Sequence, residues 1–332
     1  MFKNIKICSQ AIKLGDDYMK EISQVSIIGA GLMGHGIAQT CAQASCNVKL
    51  YDIKNEILIE ALKRVKSNLK LLAEENIIKH QDIDNIISHI KTVNDLEKCV
   101  EEADLVIEAV PEDLKLKRKI FREIEKHCPE NTILATTTSV IRIGDISEAV
   151  EKPERFVGTH WMNPPFILPL VEIVRGPHTS DLTVKRIKEF LENKCKKRTI
   201  VCKDSPGFLV NRMAAAVLAE ASKLVETGVT TIEDIDKTWT EHLGFIYLLF
   251  GPFRNLDYIG LDIVYFASTY LSNVLKDERF KPPEWLISKV RKGHLGIKTG
   301  KGIYNYQEKT FEEMYNERIK RIIRILRILN KI

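Results

Sequence analysis

The sequence has no C-x-x-C pair. Cys8, Cys41, Cys46, Cys99, Cys128, Cys195 and Cys202 are scattered and odd in number. That argues against zinc ribbons and a disulfide scaffold, and suits buried thiols in a reducing compartment. No uninterrupted apolar run reaches the ~18 residues that a membrane-spanning helix needs. The first stretch of chain lacks the apolar core and small-residue cleavage site of a secretory signal, so a cytoplasmic location is expected. The body of the chain carries no net charge. The net +5 resides at the two ends: Lys3, Lys6, Lys13 and Lys20 outweigh Asp16 and Asp17, and six bases outweigh three acids in 311–332. Residues 21–310 are therefore neutral overall. With no zinc-binding repeat and no aromatic–basic RNA-binding pattern, neither a nucleic-acid partner nor a metal site is expected.

What is present points to a globular protein of two domains. The chain has 332 residues, 44% of them hydrophobic and 29% charged. The most informative stretch is VSIIGAGLMGHGIA, beginning at Val25. An apolar strand pattern (Val25 to Ile28) runs into Gly29, Gly31 and Gly34, and a helical pattern follows from Met33. This is a G-x-G-x-x-G turn in strand–turn–helix context. Gly29 permits the tight turn, Gly31 lets backbone approach a pyrophosphate, and Gly34 lets helix pack on strand. The phosphates would sit on helix N–H groups. A second strand pattern, Val48 to Tyr51, ends at Asp52, 23 residues after Gly29. A carboxylate there accepts from both ribose hydroxyls and repels a 2′-phosphate, which favours NAD over NADP.

Strand and helix patterns alternate from 22 to about 203, as in a largely parallel sheet. Strands are expected at Ile90–Val93, Leu105–Glu108, Thr132–Ala135, Phe156–His160, Leu170–Val174 and Thr199–Val201, with a long charged helix over Asn55–Glu75. Asn76–Ser88 reads as a second helical arm, either a surface insertion or a cover for a ligand. After Asp204-Ser205-Pro206-Gly207 the pattern turns helical, over Phe208–Glu226, Thr231–Glu241, Asn255–Leu275 and Pro283–Lys292. The expected organisation is an N-terminal extension (1–20), an α/β Rossmann-type NAD-binding domain (21–203), an all-α domain (204–310) and a C-terminal basic amphipathic helix (311–332). The apolar face of Met213, Val217, Leu218 and Ala221 fits either an internal core or a two-fold partner.

Polar residues gather where strands end. Glu108 ends LVIEAV, Thr136 to Ser139 follow ILA, and His160 ends FVGTH. In an open α/β sheet these ends surround the cofactor crevice. Histidine is readily poised as a base near neutral pH. Glu172, twelve residues later in LVEIV, is a carboxylate inside a strand and costly there unless paired. Antiparallel pairing of the two strands would set Glu172 against His160. From the residues alone, a catalytic base and a satisfied structural histidine both remain open.

The chain resembles the L-3-hydroxyacyl-CoA dehydrogenases from about 22 to 308. The matching stretches are GAGLMGHGIA, EAVPEDLKLKRKIF, GTHWMNPP, LVEIV, KDSPGFLVNR, GPFRNLDYIGLD and GIKTGKGIYNY, in the family's order and near its spacing. The resemblance implies NAD-linked oxidation of a 3-hydroxyl to a ketone, a role in fatty acid β-oxidation and a homodimer formed through the helical domain. It implies His160 as base, Glu172 as its orienting carboxylate, Ser139 as the active-site serine and Asn211, from the second domain, as the active-site asparagine. Closure of the helical domain would bring Asn211 in. The expected cofactor-binding set is Gly29, Gly31, Leu32, Met33, Gly34, Asp52, Glu108 and Lys115, with Glu108 shaping the crevice near the ribose and nicotinamide.

Two departures bear on substrate. The family's Asn-Thr-Ser-Ser reads Thr137-Thr138-Ser139-Val140, which keeps the hydroxyl and loses an amide. Where many acyl-CoA users carry lysines near the end of the long helix, this chain has Ala73-Glu74-Glu75, leaving Lys66 or Lys70 to compensate. The Asn-Pro-Pro after His160 and HLGFIYLLFGPF also resemble relatives that oxidise free hydroxy acids, such as gulonate-type dehydrogenases. A short-chain 3-hydroxyacyl-CoA, a free 3-hydroxy acid and a catalytically silent NAD-binding protein are the competing readings. The tail, FEEMYNERIKRIIRILRILNKI, is a helix docked on its own domain or across a dimer, or a basic amphipathic anchor for a membrane surface or partner.

Overall fold

A computed structural model describes residues 21–332. The expected N-terminal extension, with Cys8, lies outside the described residues. Eight strands form one sheet: β1 (Gln24–Ile28), β2 (Asn47–Tyr51), β3 (Ile90–Val93), β4 (Leu105–Glu108), β5 (Ile133–Thr136), β6 (Phe156–Trp161), β7 (Leu170–Arg175) and β8 (Arg198–Lys203). Their order is β3-β2-β1-β4-β5-β6-β7-β8. β1 to β6 run parallel, β7 pairs antiparallel to β6, and β8 follows β7 in parallel. The chain order reverses between β1 and β4, which places a topological switch point beside the glycine turn. Ile27, Leu105, Ile107 and Leu134 are fully buried, as expected of central parallel strands covered on both faces. Each contributes roughly 1.5–3 kcal/mol of burial. The architecture is an α/β Rossmann-type sheet domain followed by helices.

The long helix spans Asn55–Glu74. The arm after it is shorter than its apolar pattern suggests: Asn76 turns at φ +59°, and only Ile83–Ser88 is α-helical. The chain divides into two compact units, one ending at Val217 and the other covering Leu218–Ile332. This division falls inside helix Val210–Glu226. The first turns of that helix bond to the sheet domain: the Leu209 and Val210 N–H groups donate to Glu172 Oε1, both at 3.0 Å.

In the second unit the expected single helix over Asn255–Leu275 is two, Pro252–Ile259 and Leu261–Leu275. Gly260 breaks it at φ +108°, and the Leu261 N–H turns to the Leu295 carbonyl at 3.1 Å. A further helix, Gly244–Phe250, occupies HLGFIYLLF. Asp257 is fully buried and accepts from Ile303 N (2.8 Å), Tyr304 N (3.0 Å) and Tyr306 Oη (2.9 Å). GPFRNLDYIGLD and GIKTGKGIYNY thus form one clasp, and a Cβ on Gly302 would lie 2.1 Å from Asp257 Oδ1. The tail helix, Phe311–Ile328, opens on a Thr310–Glu313 capping box. Met314 is buried, and Arg318 lies over the Tyr258 ring and donates to Asn255 Oδ1 at 3.2 Å. The helix therefore docks on its own unit. No described helix is long and apolar enough to cross a membrane.

Candidate active site

The three glycines differ as their positions in the turn require. Gly29 adopts φ +104°, and a Cβ there would meet the Ala109 carbonyl oxygen at 2.7 Å. A Cβ on Gly34 would lie 1.7 Å from Gly29 O, so only glycine lets the helix start this close to β1. Gly31 faces open space, with nothing within 4 Å of an added Cβ. Leu32 is exposed beside it and Met33 is half-buried. Asp52, at the end of β2, accepts from Ala30 N at 3.0 Å and Lys54 N at 3.2 Å. Each carboxylate oxygen keeps acceptor capacity for a hydroxyl. A bare backbone edge at a helix N-terminus and an acid at the next strand end suit a dinucleotide's pyrophosphate and ribose. Gly31→Ala is expected to leave the thermal midpoint unchanged and weaken NADH binding, because the added methyl meets ligand and not protein. A fluorescence titration matching the native protein would remove Gly31 from the phosphate contact.

His160 and Glu172 are register partners across β6 and β7. Their side chains meet at 2.6 Å between Nδ1 and Oε2, with His160 6% exposed and Glu172 fully buried. Glu172 Oε1 takes the Leu209 and Val210 N–H groups, so both oxygens are engaged. The hydrogen bond at Nδ1 leaves Nε2 as the nitrogen free to act on a substrate. Phe208, left-handed at φ +49°, sets its ring 5.7 Å from the imidazole centre.

The KDSPGFLVNR segment makes three ties. Asp204 caps helix Ile143–Ser147, accepting from Ile143 N (3.0 Å) and Gly144 N (2.8 Å). Leu209 and Val210 hold Glu172. Asn211 donates its Nδ2 to the Ser139 carbonyl at 2.8 Å. Asn211 stands on the first turn of helix Val210–Glu226, where the expected all-α region begins, and its side chain reaches the serine loop through this bond.

The serine loop is held from below. Glu112 Oε1 accepts from Thr138 Oγ1 (2.5 Å), Ser139 N (2.9 Å) and Val140 N (3.1 Å). Burial alone would raise the Glu112 carboxyl, but these bonds and the nearby Lys117 hold it below the usual range. Glu108 is fully buried: its Oε1 accepts from Val110 N (2.8 Å) and Lys117 Nζ (2.7 Å), and its Oε2 from Thr136 Oγ1 (2.6 Å). Burial pushes the Glu108 carboxyl up, against the pull of Lys117. Glu108 therefore offers no exposed oxygen to a ribose. Lys115 stands exposed on the first turn of helix Leu114–His127, whereas Lys117, two residues on, is buried and bridges Glu108 and Glu112. Glu112 and Lys117 escaped the sequence reading. The only signal for them was a second acid and a second lysine in EAVPEDLKLK.

The fold and this constellation define a dinucleotide-dependent dehydrogenase, with its chemistry at the carboxyl ends of parallel strands. The 3-hydroxyacyl-CoA dehydrogenase NAD binding domain matches residues 24–205, and the C-terminal domain of the same enzymes matches 207–306. A probable 3-hydroxybutyryl-CoA dehydrogenase of Bacillus subtilis is 37% identical over 290 residues, covering 87% of this chain and 99% of the relative. The crystal structure of a 3-hydroxyacyl-CoA dehydrogenase from Archaeoglobus fulgidus superposes with TM-score 0.79 at 44% identity, over 93% of this chain and 99% of that one. The 5-formyl-3-hydroxy-2-methylpyridine 4-carboxylate 5-dehydrogenase of Mesorhizobium japonicum is 34% identical, covering 93% of this chain and 98% of its own. The chain belongs to the 3-hydroxyacyl-CoA dehydrogenase family, and is an NAD-dependent oxidoreductase.

Proposed function

We propose that the protein interconverts a short-chain L-3-hydroxyacyl-CoA and its 3-ketoacyl-CoA, with His160 and Glu172 as the proton-handling pair. The observation that carries this reading is the 2.6 Å bond between His160 Nδ1 and a fully buried Glu172. It fixes the imidazole and leaves Nε2 for the substrate hydroxyl. NAD, when bound, supplies the hydride acceptor for the C3 hydrogen. His160 takes the hydroxyl proton, and Glu172 stabilises the imidazolium that results. The Ser139 hydroxyl orients the substrate oxygen, and Asn211 steadies the loop that carries it. Gly29, Gly31, Leu32, Met33, Gly34, Asp52 and Lys115 form the cofactor side of the crevice, with Glu108 supporting it from beneath.

The CoA moiety has basic candidates on the long helix, where Lys63, Lys66 and Lys70 are exposed along one face. Glu74 and Glu75, also exposed, oppose a phosphate at the helix end. They favour a second reading, a free hydroxy acid, and a 34%-identical relative is named for a pyridine carboxylate rather than a CoA ester. The ratio of kcat/KM on 3-hydroxybutyryl-CoA to that on gulonate and 3-hydroxybutyrate decides between them. The CoA ester is expected to lead by at least about 10²-fold, a modest ratio beside the roughly 10⁴–10⁵ that a site built for polar contacts can reach against a competitor lacking them. Parity or the reverse order would overturn the acyl-CoA assignment. Tight NADH binding with no turnover on any of the three would favour a silent cofactor-binding protein.

The helical region from 204 to 310 is assigned to substrate binding and dimerisation. Met213, Val217 and Leu218 are all exposed in the single chain, an apolar face that a second copy would cover. The six described cysteines are free, which fits a reducing, cytoplasmic setting.

A further inference from the structure

Lys197 has a burial that the proposed chemistry does not account for. It is 8% exposed, and among the described residues its ammonium has no carboxylate partner. Instead Nζ donates to the carbonyls of Pro165 (2.5 Å) and Leu168 (2.9 Å), and lies 5.9 Å from the centre of the Trp161 ring. Burial holds this ammonium below the usual lysine range, the signature of a charge kept at a cost. A lysine serving only to fill space would be replaced at no loss by an apolar side chain. This one is aimed at two backbone oxygens of a single turn.

That turn joins β6 to β7. It leaves the sheet at Trp161, directly after His160, and returns at Leu170, two residues before Glu172. Its other side rests on the helix opened by the glycine turn, Gly34–Gln43. Thr40 Oγ1 donates to the same Pro165 carbonyl at 3.3 Å, and Gly36 leaves room for the proline ring, since a Cβ there would lie 2.7 Å from Pro165 Cγ. Pro165 is thus a shared point between the cofactor helix and the strand that carries the histidine. Lys197, at the head of β8, holds it in place.

We propose that Lys197 is a positioning residue for hydride transfer: by gripping the Pro165 and Leu168 carbonyls it fixes the turn between β6 and β7 and so aims the His160–Glu172 pair relative to the cofactor helix. The proposal rests on the catalytic reading of His160. It deepens that reading by naming what sets the geometry of the pair. A misplacement of about 1 Å can cost on the order of 10²-fold in rate without a contact to substrate being lost.

The test compares Lys197→Met, which keeps the stem and removes the ammonium, with Lys197→Gln, which keeps a shorter donor. In full-length protein, NADH affinity and KM for acetoacetyl-CoA are expected to stay within about threefold of native. For Lys197→Met, kcat is expected to fall by about 10- to 100-fold, with Lys197→Gln between it and native. The kinetic isotope effect on kcat with 4-deuterated NADH should rise, because hydride transfer becomes the slow step. The downfield proton resonance of the His160 Nδ1–H, a direct report on the bond to Glu172, should weaken or shift. A variant that only lost stability would show a lower thermal midpoint, but native kcat per folded molecule, isotope effect and proton resonance. That result would overturn the proposal. If Lys197→Met does not fold, Lys197→Gln carries the same comparison. A native protein inactive on acetoacetyl-CoA would refute the functional assignment, and the Nδ1–H resonance alone would then decide the positioning role.

Discussion

His160→Gln is expected to retain NADH binding and to lose at least about 10²-fold in kcat for ketone reduction, the lower end for a positioned proton-transfer group. Gln keeps much of the imidazole's volume and can hydrogen-bond Glu172, so the buried carboxylate is not left bare. It cannot accept and release a proton near neutral pH. Glu172→Gln is expected to cost less in the proton step and more in stability, because the Glu172 carboxylate also receives the Leu209 and Val210 N–H groups. Loss of a charge-assisted acceptor there costs about 1.5–3 kcal/mol. The measurement is steady-state reduction of acetoacetyl-CoA by NADH, with fluorescence titration of NADH as the control. Turnover of His160→Gln near the native value would remove the histidine from the chemistry, whatever its geometry.

The glycine turn, all eight strands and the His160–Glu172 pairing were readable before any coordinates. Each rests on a short-range rule: apolar runs of strand length, a glycine spacing tied to one turn, and two strands joined closely enough to pair antiparallel. The residues that hold the site together obey no such rule. Lys115 and Lys117 are equivalent in composition, and which one faces inward depends on where the helix starts, fixed by the Asp113 cap accepting from Leu116 N at 2.7 Å. Glu112 reads as a surface acid until Thr138, Ser139 and Val140 converge on it from 26 to 28 residues away. Asn211 stands out in the sequence within KDSPGFLVNR, but its bond to the Ser139 carbonyl, 72 residues away, follows from no local pattern. Gly260 lies inside the apolar helical pattern of Asn255–Leu275. Its φ of +108° shows that it ends one helix and frees the next.

The largest expected effect on stability lies under the crevice. Lys117 and Glu108 meet at 2.7 Å with side chains 1% and 0% exposed. A pair this deep gains little over an apolar replacement, since desolvating both charges offsets their attraction. Removing one partner is different, because the other is left buried and uncompensated. Lys117→Met is therefore expected to destabilise the protein by about 3–5 kcal/mol. It should also lower activity, because Lys117 lies 3.3 Å from Glu112, which holds the Ser139 loop. Adding Glu108→Gln removes the stranded charge while keeping an acceptor for the Val110 N–H and a polar partner for the Thr136 hydroxyl. The double variant is expected to recover most of the lost stability but not the activity, since Glu112 still lacks its cation. Urea denaturation of the native protein and of both single and double variants closes the cycle. A Lys117→Met loss below about 1 kcal/mol, the range of an exposed ion pair, would mean that the pair is relieved by water and does not carry the floor of the site.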